Sequence, residues 1–202
     1  MFFSFDGLDG VGKTTQMDLF IDWLKQRGHE VVGCYDPGCT PLGEEIRRML
    51  LEHKVEIGCT SEMLLFMAAR AQLVDSVIRP ALERSAVVVS DRYVLANIVY
   101  QGYAGGLDVE TVRRIGQTAT RGLLPELVFV LDMTPRAAAQ RMNRQPDRME
   151  DRGDDYRARL RQGFLSEAAK NPEHILVVDA AREIDLVQAD IRAAAARLLE
   201  QE

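Results

Sequence analysis

Phe2-Phe3-Ser4-Phe5-Asp6-Gly7-Leu8-Asp9-Gly10-Val11-Gly12-Lys13-Thr14-Thr15 is the stretch of this chain that decides its fold. It contains Gly7-x-x-x-x-Gly12-Lys13-Thr14, the pattern of a loop whose backbone N–H groups bind phosphate oxygens. An apolar run precedes the loop and a helical pattern follows it, which is the context that such a loop requires. A glycine-rich turn without a ligand is the alternative. The context favours a phosphate site between the first strand and the first helix.

The last residues of the loop carry specific chemistry. The Lys13 ammonium would reach the β- and γ-phosphates of a nucleotide, and the Thr14 hydroxyl can ligate Mg²⁺. A helix beginning at Lys13 would add the positive end of its dipole. The motif therefore predicts a triphosphate site with an associated metal ion.

The composition of the 202 residues is that of one globular domain with an ordinary core. The net charge of −6 gives no basic surface for nucleic acid or an anionic membrane. We expect no signal peptide and no membrane span, because no apolar run is long enough. The three cysteines are odd in number and indicate reduced thiols of a cytoplasmic protein, although Cys34 and Cys39 could meet across a turn.

Short apolar runs that do not alternate with polar residues recur along the chain, as expected for parallel strands buried on both faces. They predict five strands at 1–5, 30–35, 86–90, 127–132 and 175–179. Helical patterns separate them at 13–27, 41–52, 60–84, 93–101, 108–121, 135–144, 155–170 and 183–200. This alternation predicts an α/β fold, a doubly wound, five-stranded parallel sheet flanked by helices, as one domain over 1–202.

Acidic residues follow several of the predicted strands. Asp9, Asp36, Asp91 and Asp132 should ring one crevice, since sites in such sheets lie at the carboxyl ends of the strands. Asp91 would support the Mg²⁺ shell, or alternatively cap the next helix. Arg92 would clamp a second phosphoryl group, unless it forms a surface salt bridge instead.

Two pairs of side chains at i and i+4 suggest a pocket for a base. Phe66 and Arg70 share one helix face, and Asn97 and Gln101 share another. An aromatic plane, an Arg and two amides can stack on a base and hydrogen-bond its edge. Phe66 could instead be a core residue, whereas Arg70 interrupts an apolar stretch and must snorkel or find a partner.

The segment 141–155 is rich in both charges and predicts a mobile, arginine-rich lid. Its arginines include Arg141, Arg144 and Arg148.

Taken together, these motifs resemble the thymidylate kinase family of nucleoside monophosphate kinases. The resemblance rests on blocks in the same order over nearly the whole chain, at 7–15, 36–44, 64–72, 91–93, 100–102, 123–127, 131–135 and 147–150. It implies transfer of the γ-phosphoryl group of ATP to thymidine monophosphate (dTMP), with Mg²⁺, by a cytoplasmic homodimer.

The resemblance also implies roles for individual residues. ATP would contact Gly7, Leu8, Asp9, Gly10, Val11, Gly12, Lys13, Thr14, Thr15 and Arg141. The dTMP would contact Asp9, Pro37, Phe66, Arg70, Arg92, Asn97, Tyr100 and Gln101. The catalytic residues would be Asp9, Lys13, Arg92, Arg144 and Arg148, and the metal would lie near Thr14 and Asp91. Gly10 stands where some members carry an Arg, and the lid arginines would supply the compensating cation.

The chain departs from the family where Arg-Glu-Pro-Gly-Gly-Thr is usual, because it has Tyr35-Asp36-Pro37-Gly38-Cys39-Thr40. Leu95 and Ala96 stand where acidic or small polar residues are frequent. These departures leave open another nucleoside or nucleoside-monophosphate kinase, or a homologue that binds nucleotides without turnover. A guanine-nucleotide switch is disfavoured because the chain has no Asn-Lys-x-Asp segment.

Overall fold

The computed structural model describes residues 1–52, 56–142 and 153–200. Its sheet consists of β1 (Phe2–Gly7), β2 (Val31–Tyr35), β3 (Val87–Asp91), β4 (Leu127–Asp132) and β5 (Ile175–Asp179). The strands lie in the order β2-β3-β1-β4-β5, and every neighbouring pair is parallel. The prediction of a five-stranded parallel sheet is confirmed.

The helices follow the strands as crossover connections. They are α1 (Lys13–Gln26), α2 (Pro41–Leu51), α3 (Cys59–Leu73), α4 (Arg79–Glu83), α5 (Val94–Asn97), α6 (Val109–Thr120), α7 (Pro135–Arg141), α8 (Asp154–Lys170) and α9 (Ile184–Leu199). Two π-helical segments, Val74–Ile78 and Ile98–Ala104, continue α3 into α4 and extend α5. The helices predicted at 60–84 and 93–101 are therefore present, with wider turns inside them. None of the helices in the described part of the chain is both long and apolar enough to cross a membrane.

Alternate residues of the central strands pack into two cores, one on each face of the sheet. Phe3 and Phe5 of β1 pack with Phe20 of α1 on one face. Phe2 points to the other face and meets Tyr93 edge-on at 5.0 Å between ring centroids. Both faces of the strand are apolar because helices cover both, which explains the runs without alternation.

The first strand begins one residue later than predicted and ends two residues later, at Gly7. Asp6 and Gly7 pair with Val130 and Leu131 of β4, so the strand continues past its apolar run. The phosphate-loop sequence then begins directly at the carboxyl end of the central strand. This position places it at the middle of the sheet edge where sites of parallel sheets form.

Candidate active site

A cleft of about 1210 Å³ opens at the carboxyl ends of β1, β2 and β3. It is large enough for two nucleotide-sized ligands, since ordinary small-molecule sites enclose roughly 300–1,000 Å³. Most of the predicted site residues line it, namely Asp9, Gly10, Val11, Gly12, Lys13, Thr14, Thr15, Pro37, Phe66, Arg70, Asp91, Arg92, Asn97, Tyr100, Gln101 and Arg141. The structure thus brings residues from distant parts of the sequence into one continuous space.

Glycine is required in the loop for two separate reasons. Gly10 and Gly12 have φ angles of 83° and 94°, in the left-handed region that other residues rarely adopt. A Cβ at Gly10 would also lie 2.3 Å from the Ala138 carbonyl oxygen, whereas one at Gly12 would meet nothing within 4 Å. The Arg that some family members carry in the loop would therefore collide with α7 in this structure.

The Lys13 ammonium is buried and held by the loop itself. Its Nζ donates to the Leu8 carbonyl oxygen at 2.8 Å and lies 3.4 Å from both the Gly7 carbonyl and Asp9 Oδ1. Burial, and then the nearby Arg92 guanidinium, lower the pKa of Lys13. Gly7 and Leu8 contribute carbonyl groups to this lysine and, unlike the next residues of the loop, do not line the cleft.

Arg92 is fixed by its backbone as well as by its side chain. Its φ is 70°, its N–H donates to the Phe5 carbonyl at 2.9 Å, and its own carbonyl accepts from Ser90 Oγ at 2.7 Å. A left-handed conformation at a non-glycine residue is strained, and such strain clusters at functional sites. Arg92 does form a salt bridge, with Asp9, but this pair lies in the cleft and the Arg92 side chain is only 18% exposed.

The guanidinium of Arg92 contacts the loop and an aromatic ring. Its Nη2 donates to Asp9 Oδ1 at 2.5 Å and its Nη1 to the Gly7 carbonyl at 3.2 Å. The group also lies 5.0 Å from the centroid of the Tyr100 ring, which favours a cation. These contacts hold a charged fork at the junction between the loop and the helix that follows β3.

Asp9 is the common acceptor of this cluster. Asp9 accepts hydrogen bonds from the Lys13 ammonium, the Arg92 guanidinium and the Tyr100 hydroxyl. The Tyr100 hydroxyl oxygen lies 3.2 Å from Asp9 Oδ2. Burial alone would raise the pKa of Asp9, but Arg92 and Lys13 outweigh it and lower the pKa well below its usual range. Asp9 is therefore an anion that neutralises two cations and cannot act as a proton donor near neutral pH.

The residues predicted to lie near a metal ion fit that role. Asp91 has a buried Oδ1 without a hydrogen-bond partner, and the Thr14 side chain is exposed on the wall of the cleft. The alternative role of Asp91 as a helix cap is not observed, since Tyr93 precedes α5 and no side chain caps that helix. Within the three described segments, no group of three or more His, Cys, Asp or Glu residues could hold a metal.

At the other end of the cleft, Arg70 forms an ion pair with Asp36, which compensates for its burial among apolar side chains. Its Nε donates to Asp36 Oδ2 at 2.5 Å, and both side chains are almost fully buried. The guanidinium also lies 5.5 Å from the centroid of the Tyr93 ring. Phe66 is half-buried. It packs against the core, as a core residue would, and it also lines the cleft, where a base could stack on it.

The two predicted amides are linked to each other and to a buried acid. Asn97 Nδ2 donates to Gln101 Oε1 at 2.8 Å, and Gln101 Nε2 donates to Glu62 Oε1 at 2.9 Å. All three side chains are at most 2% exposed, and Asn97 Oδ1 has no hydrogen-bond partner. Sequence reasoning missed Glu62, which lies two turns before Arg70 on α3 and directly precedes the same apolar stretch, where a charged residue of the first helical turn gives no signal of burial.

The crevice prediction is wrong for Asp132. Asp9, Asp36 and Asp91 line the cleft, whereas both oxygens of Asp132 accept from Arg161 of α8 at 2.8 Å and the residue does not line it. Helix α8 packs over that end of β4 and diverts its carboxylate. Sequence order alone could not reveal this long-range partner.

The lid prediction falls largely on residues outside those the structure describes. Arg144 and Arg148 belong to that part of the chain. Arg141, at the end of α7, lines the cleft and donates from Nη1 to the Ala180 carbonyl at 3.0 Å. Arg141 therefore stands near the turn after β5, opposite the glycine loop.

The segment that departs from the family pattern forms a compact turn. Tyr35 and Pro37 both line the cleft. The Tyr35 hydroxyl and the Cys39 N–H both donate to Glu44 Oε1, at 2.6 and 2.8 Å. Cys34 and Cys39 are free thiols, so the possible disulfide across this turn is not formed.

The sequence and the fold match known proteins along almost their whole length. The sequence model described as thymidylate kinase matches residues 5–191. The chain is 43% identical to a thymidylate kinase of Clavibacter sepedonicus over 96% of this chain and 94% of that protein. It is 44% identical to a thymidylate kinase of Bifidobacterium longum over 95% of each. The crystal structure of thymidylate kinase from Ehrlichia chaffeensis superposes with a TM-score of 0.83 at 28% identity, covering 96% of this chain and 98% of that one.

A parallel sheet with a glycine loop between its central strand and the next helix, facing a partly buried arginine, defines a class of phosphoryl-transferring α/β proteins. Within that class, this chain belongs to the thymidylate kinase family.

Proposed function

We propose that this protein transfers the γ-phosphoryl group of ATP to dTMP, giving dTDP and ADP. The observation that carries the proposal is the preorganised Arg92 guanidinium, which the Arg92 backbone, Asp9 and Tyr100 hold between the two ends of one cleft. A fork of this kind binds phosphoryl oxygens through paired N–H groups. Its position between the glycine loop and the amide-lined end suits the acceptor phosphate.

The donor end of the cleft would hold ATP. The positive φ angles of Gly10 and Gly12 suit a loop whose N–H groups turn inward, and α1 begins directly after it. Val11, Thr15 and Arg141 complete the wall at this end. Lys13 would exchange its loop carbonyl partners for phosphate oxygens when ATP enters.

Thr14 and the unpartnered Oδ1 of Asp91 would hold Mg²⁺, either directly or through water. An ion held there would offset the negative charge of the nucleotide phosphates. The other ligands of the ion would come from the nucleotide phosphates and from water, as is usual for Mg²⁺ at nucleotide sites.

The acceptor end would hold dTMP. Phe66 would stack on the base, while Arg70 and the amides of Asn97 and Gln101 face its edge. Pro37 and Tyr100 also line the cleft, and the Tyr100 hydroxyl donates to Asp9 of the loop, so the sugar and phosphate would pass along these residues.

The chemistry needs positioning and charge stabilisation more than proton transfer. A monophosphate has its second pKa near 6 and is already an anion at neutral pH. Lys13 and Arg92 would stabilise the charge that spreads over the transferring phosphoryl group, with Arg144 and Arg148 as further candidates from the lid. Asp9 would keep the two cations in place.

The assembly and location are also proposals. We propose a cytoplasmic homodimer, as the resemblance implies. Leu42 and Met49 of α2 and Leu64 of α3 are each about half exposed and supply apolar surface for it. Sedimentation velocity at micromolar concentration tests the dimer.

A coupled assay of ADP release tests the function directly. We expect the wild-type protein to use dTMP in preference to thymidine, and Lys13→Ala or Arg92→Ala to lower kcat/KM by roughly 10³-fold or more. Arg84→Ala is the control, because Arg84 forms an exposed pair with Glu30 far from the cleft and should leave the rate unchanged.

Other outcomes would favour the alternatives. Preference for thymidine would indicate a nucleoside kinase. Binding of both nucleotides without ADP release would indicate a homologue without turnover, and wild-type rates in both variants would contradict the assigned roles of Lys13 and Arg92.

A further inference from the structure

The buried chain Glu62–Gln101–Asn97 has a direction that its chemistry fixes. A carboxylate accepts hydrogen bonds and does not donate them, so Glu62 requires the NH₂ group of Gln101 to face it. The Gln101 carbonyl oxygen must then face Asn97, whose NH₂ group donates a hydrogen bond to it. Each amide in the series is therefore oriented by the one before it.

The last group of the series is an unsatisfied acceptor. Asn97 Oδ1 is buried and has no hydrogen-bond partner, while Asn97 itself lines the cleft. A buried polar atom without a partner costs about 1–3 kcal/mol, and a ligand that donates to it recovers this cost. A base that donates an N–H group to Asn97 Oδ1 should therefore bind more tightly than a base that does not.

We propose that Glu62 is a positioning residue that selects the hydrogen-bonding edge of the base through Gln101 and Asn97. This inference rests on the proposed function and names the chemical class of base it accepts. An imide such as thymine or uracil presents an N–H at ring position 3, which Asn97 Oδ1 can accept. Cytosine presents a lone pair there, which would face the same oxygen and be repelled.

Removing the charge of Glu62 should therefore weaken the preference for an imide base. In Glu62→Gln the new amide can either accept from Gln101 or donate to it, so both orientations of Gln101 and Asn97 become accessible. When Asn97 presents Nδ2 instead of Oδ1, it can donate to the ring nitrogen of cytosine. The orientation that presents Asn97 Nδ2 to the base is rare while Glu62 is a carboxylate, but in Glu62→Gln it should be about as populated as the other. Because only about half of the molecules would then present Oδ1, dTMP should bind about twofold more weakly.

The test measures the binding of dTMP and dCMP by calorimetry, together with kcat/KM for each. We expect the ratio of the dCMP to the dTMP dissociation constant to fall by roughly tenfold or more in Glu62→Gln, because dCMP gains affinity. The matched control is Glu167→Gln, which alters another buried, hydrogen-bonded acid that contacts Tyr103 and Arg113 away from the cleft. Its dissociation-constant ratio should equal that of the wild type.

A second variant separates orientation from packing. In Glu62→Gln/Asn97→Asp the carboxylate moves to the other end of the series, so the hydrogen bonds should run in the reverse direction and residue 97 is again an acceptor. Selectivity for dTMP should return, which loss of packing at Glu62 would not produce. If Glu62→Gln alone does not fold, a double variant that folds and keeps the preference for dTMP supports the directed series, and a double variant that also fails to fold overturns it.

The results distinguish the two proposals. An unchanged dCMP-to-dTMP ratio in Glu62→Gln, equal losses for both nucleotides, or no recovery in the double variant would overturn the role of Glu62 while wild-type turnover of dTMP stands. Absence of wild-type turnover would overturn the proposed function, and the binding ratios would still decide the role of Glu62.

Discussion

Asp6 is a carboxylic acid near the carboxyl end of the central strand, where water does not reach it. Its side chain is fully buried, Oδ1 has no partner, and Ser4 Oγ lies 3.5 Å from Oδ2. Burial raises the pKa of Asp6 from 3.8 to about 7, against the opposing influence of Arg92 and Lys13. The protein without nucleotides therefore keeps a proton on this strand over the mildly acidic range.

This proton makes stability depend on pH in a predictable direction. Between pH 4 and 7 the folded protein keeps the Asp6 proton that the unfolded chain releases, so the free energy of unfolding falls as pH rises. At about 1.4 kcal/mol per pH unit the whole interval is worth about 4 kcal/mol. Asparagine does not titrate, so Asp6→Asn should remove this contribution to the slope.

Urea unfolding of the nucleotide-free protein at pH 5 and pH 8 measures the part of this change between pH 5 and 7, about 2.7 kcal/mol. The exposed Asp18→Asn on α1 is the control and should keep the wild-type slope. Equal pH dependence in Asp6→Asn and the wild type would show that Asp6 is ionised in the folded protein.

Individual residues differ in how far the sequence reveals them. Arg70 was identifiable because a guanidinium inside an apolar helix needs a partner, and Asp36 was identifiable as an acid at the end of a strand. Their pairing, the burial of Asp6 and the contact between Glu62 and Gln101 depend on which elements become neighbours. Those contacts join residues 34 and 39 positions apart and leave no local pattern.

At the scale of elements, the strands were predictable because both faces of a parallel sheet are covered, which leaves continuous apolar runs. The ends of the strands were less predictable, because β1 continues through Asp6 and Gly7 by pairing with β4. The π-helical segment Ile98–Ala104 had no signal in the sequence, yet it contains Tyr100 and Gln101 of the site. Wide turns of this kind are frequent at functional sites.

The contact between the glycine loop and α7 gives a prediction at this scale. A methyl group at Gly10 would collide with the Ala138 carbonyl and the Met142 side chain, at 2.3 and 2.8 Å, and its φ is positive. Gly28, at the end of α1, has a similar φ of 88° but open space around it. Gly28→Ala should cost about 1–2 kcal/mol from backbone strain alone.

Gly10→Ala should cost distinctly more than this control, because either the loop or α7 must move. Thermal or urea unfolding of the two variants measures the difference, and the weaker binding of ATP in Gly10→Ala is the second readout. Equal costs would show that the loop yields to α7 without strain.

At the scale of the whole molecule, the sheet order puts both proposed binding regions at one edge. The proposed donor region lies between β1 and the turn after β5, and the proposed acceptor region lies on the side of β2 and β3. Arg92 follows β3, and its guanidinium contacts Asp9 of the glycine loop. On this proposal, one central strand and its two neighbours are enough to bring both nucleotides to the same guanidinium.

This separation predicts that a substitution in one region abolishes the binding of one nucleotide and leaves the binding of the other unchanged. A ligand at 100 times its dissociation constant stabilises by about 2.7 kcal/mol, which corresponds to a rise in melting temperature of roughly 5–10 °C for a chain of this size. Lys13→Ala should lose the rise produced by ATP with Mg²⁺ and keep the rise produced by dTMP. Phe66→Ala should show the opposite pattern, because Phe66 lines only the acceptor end. Differential scanning fluorimetry with each ligand measures both, and Arg84→Ala should keep both rises. Loss of both rises in either variant would mean that the two regions do not bind independently, and a larger rise with GTP than with ATP would favour a guanine-nucleotide protein instead.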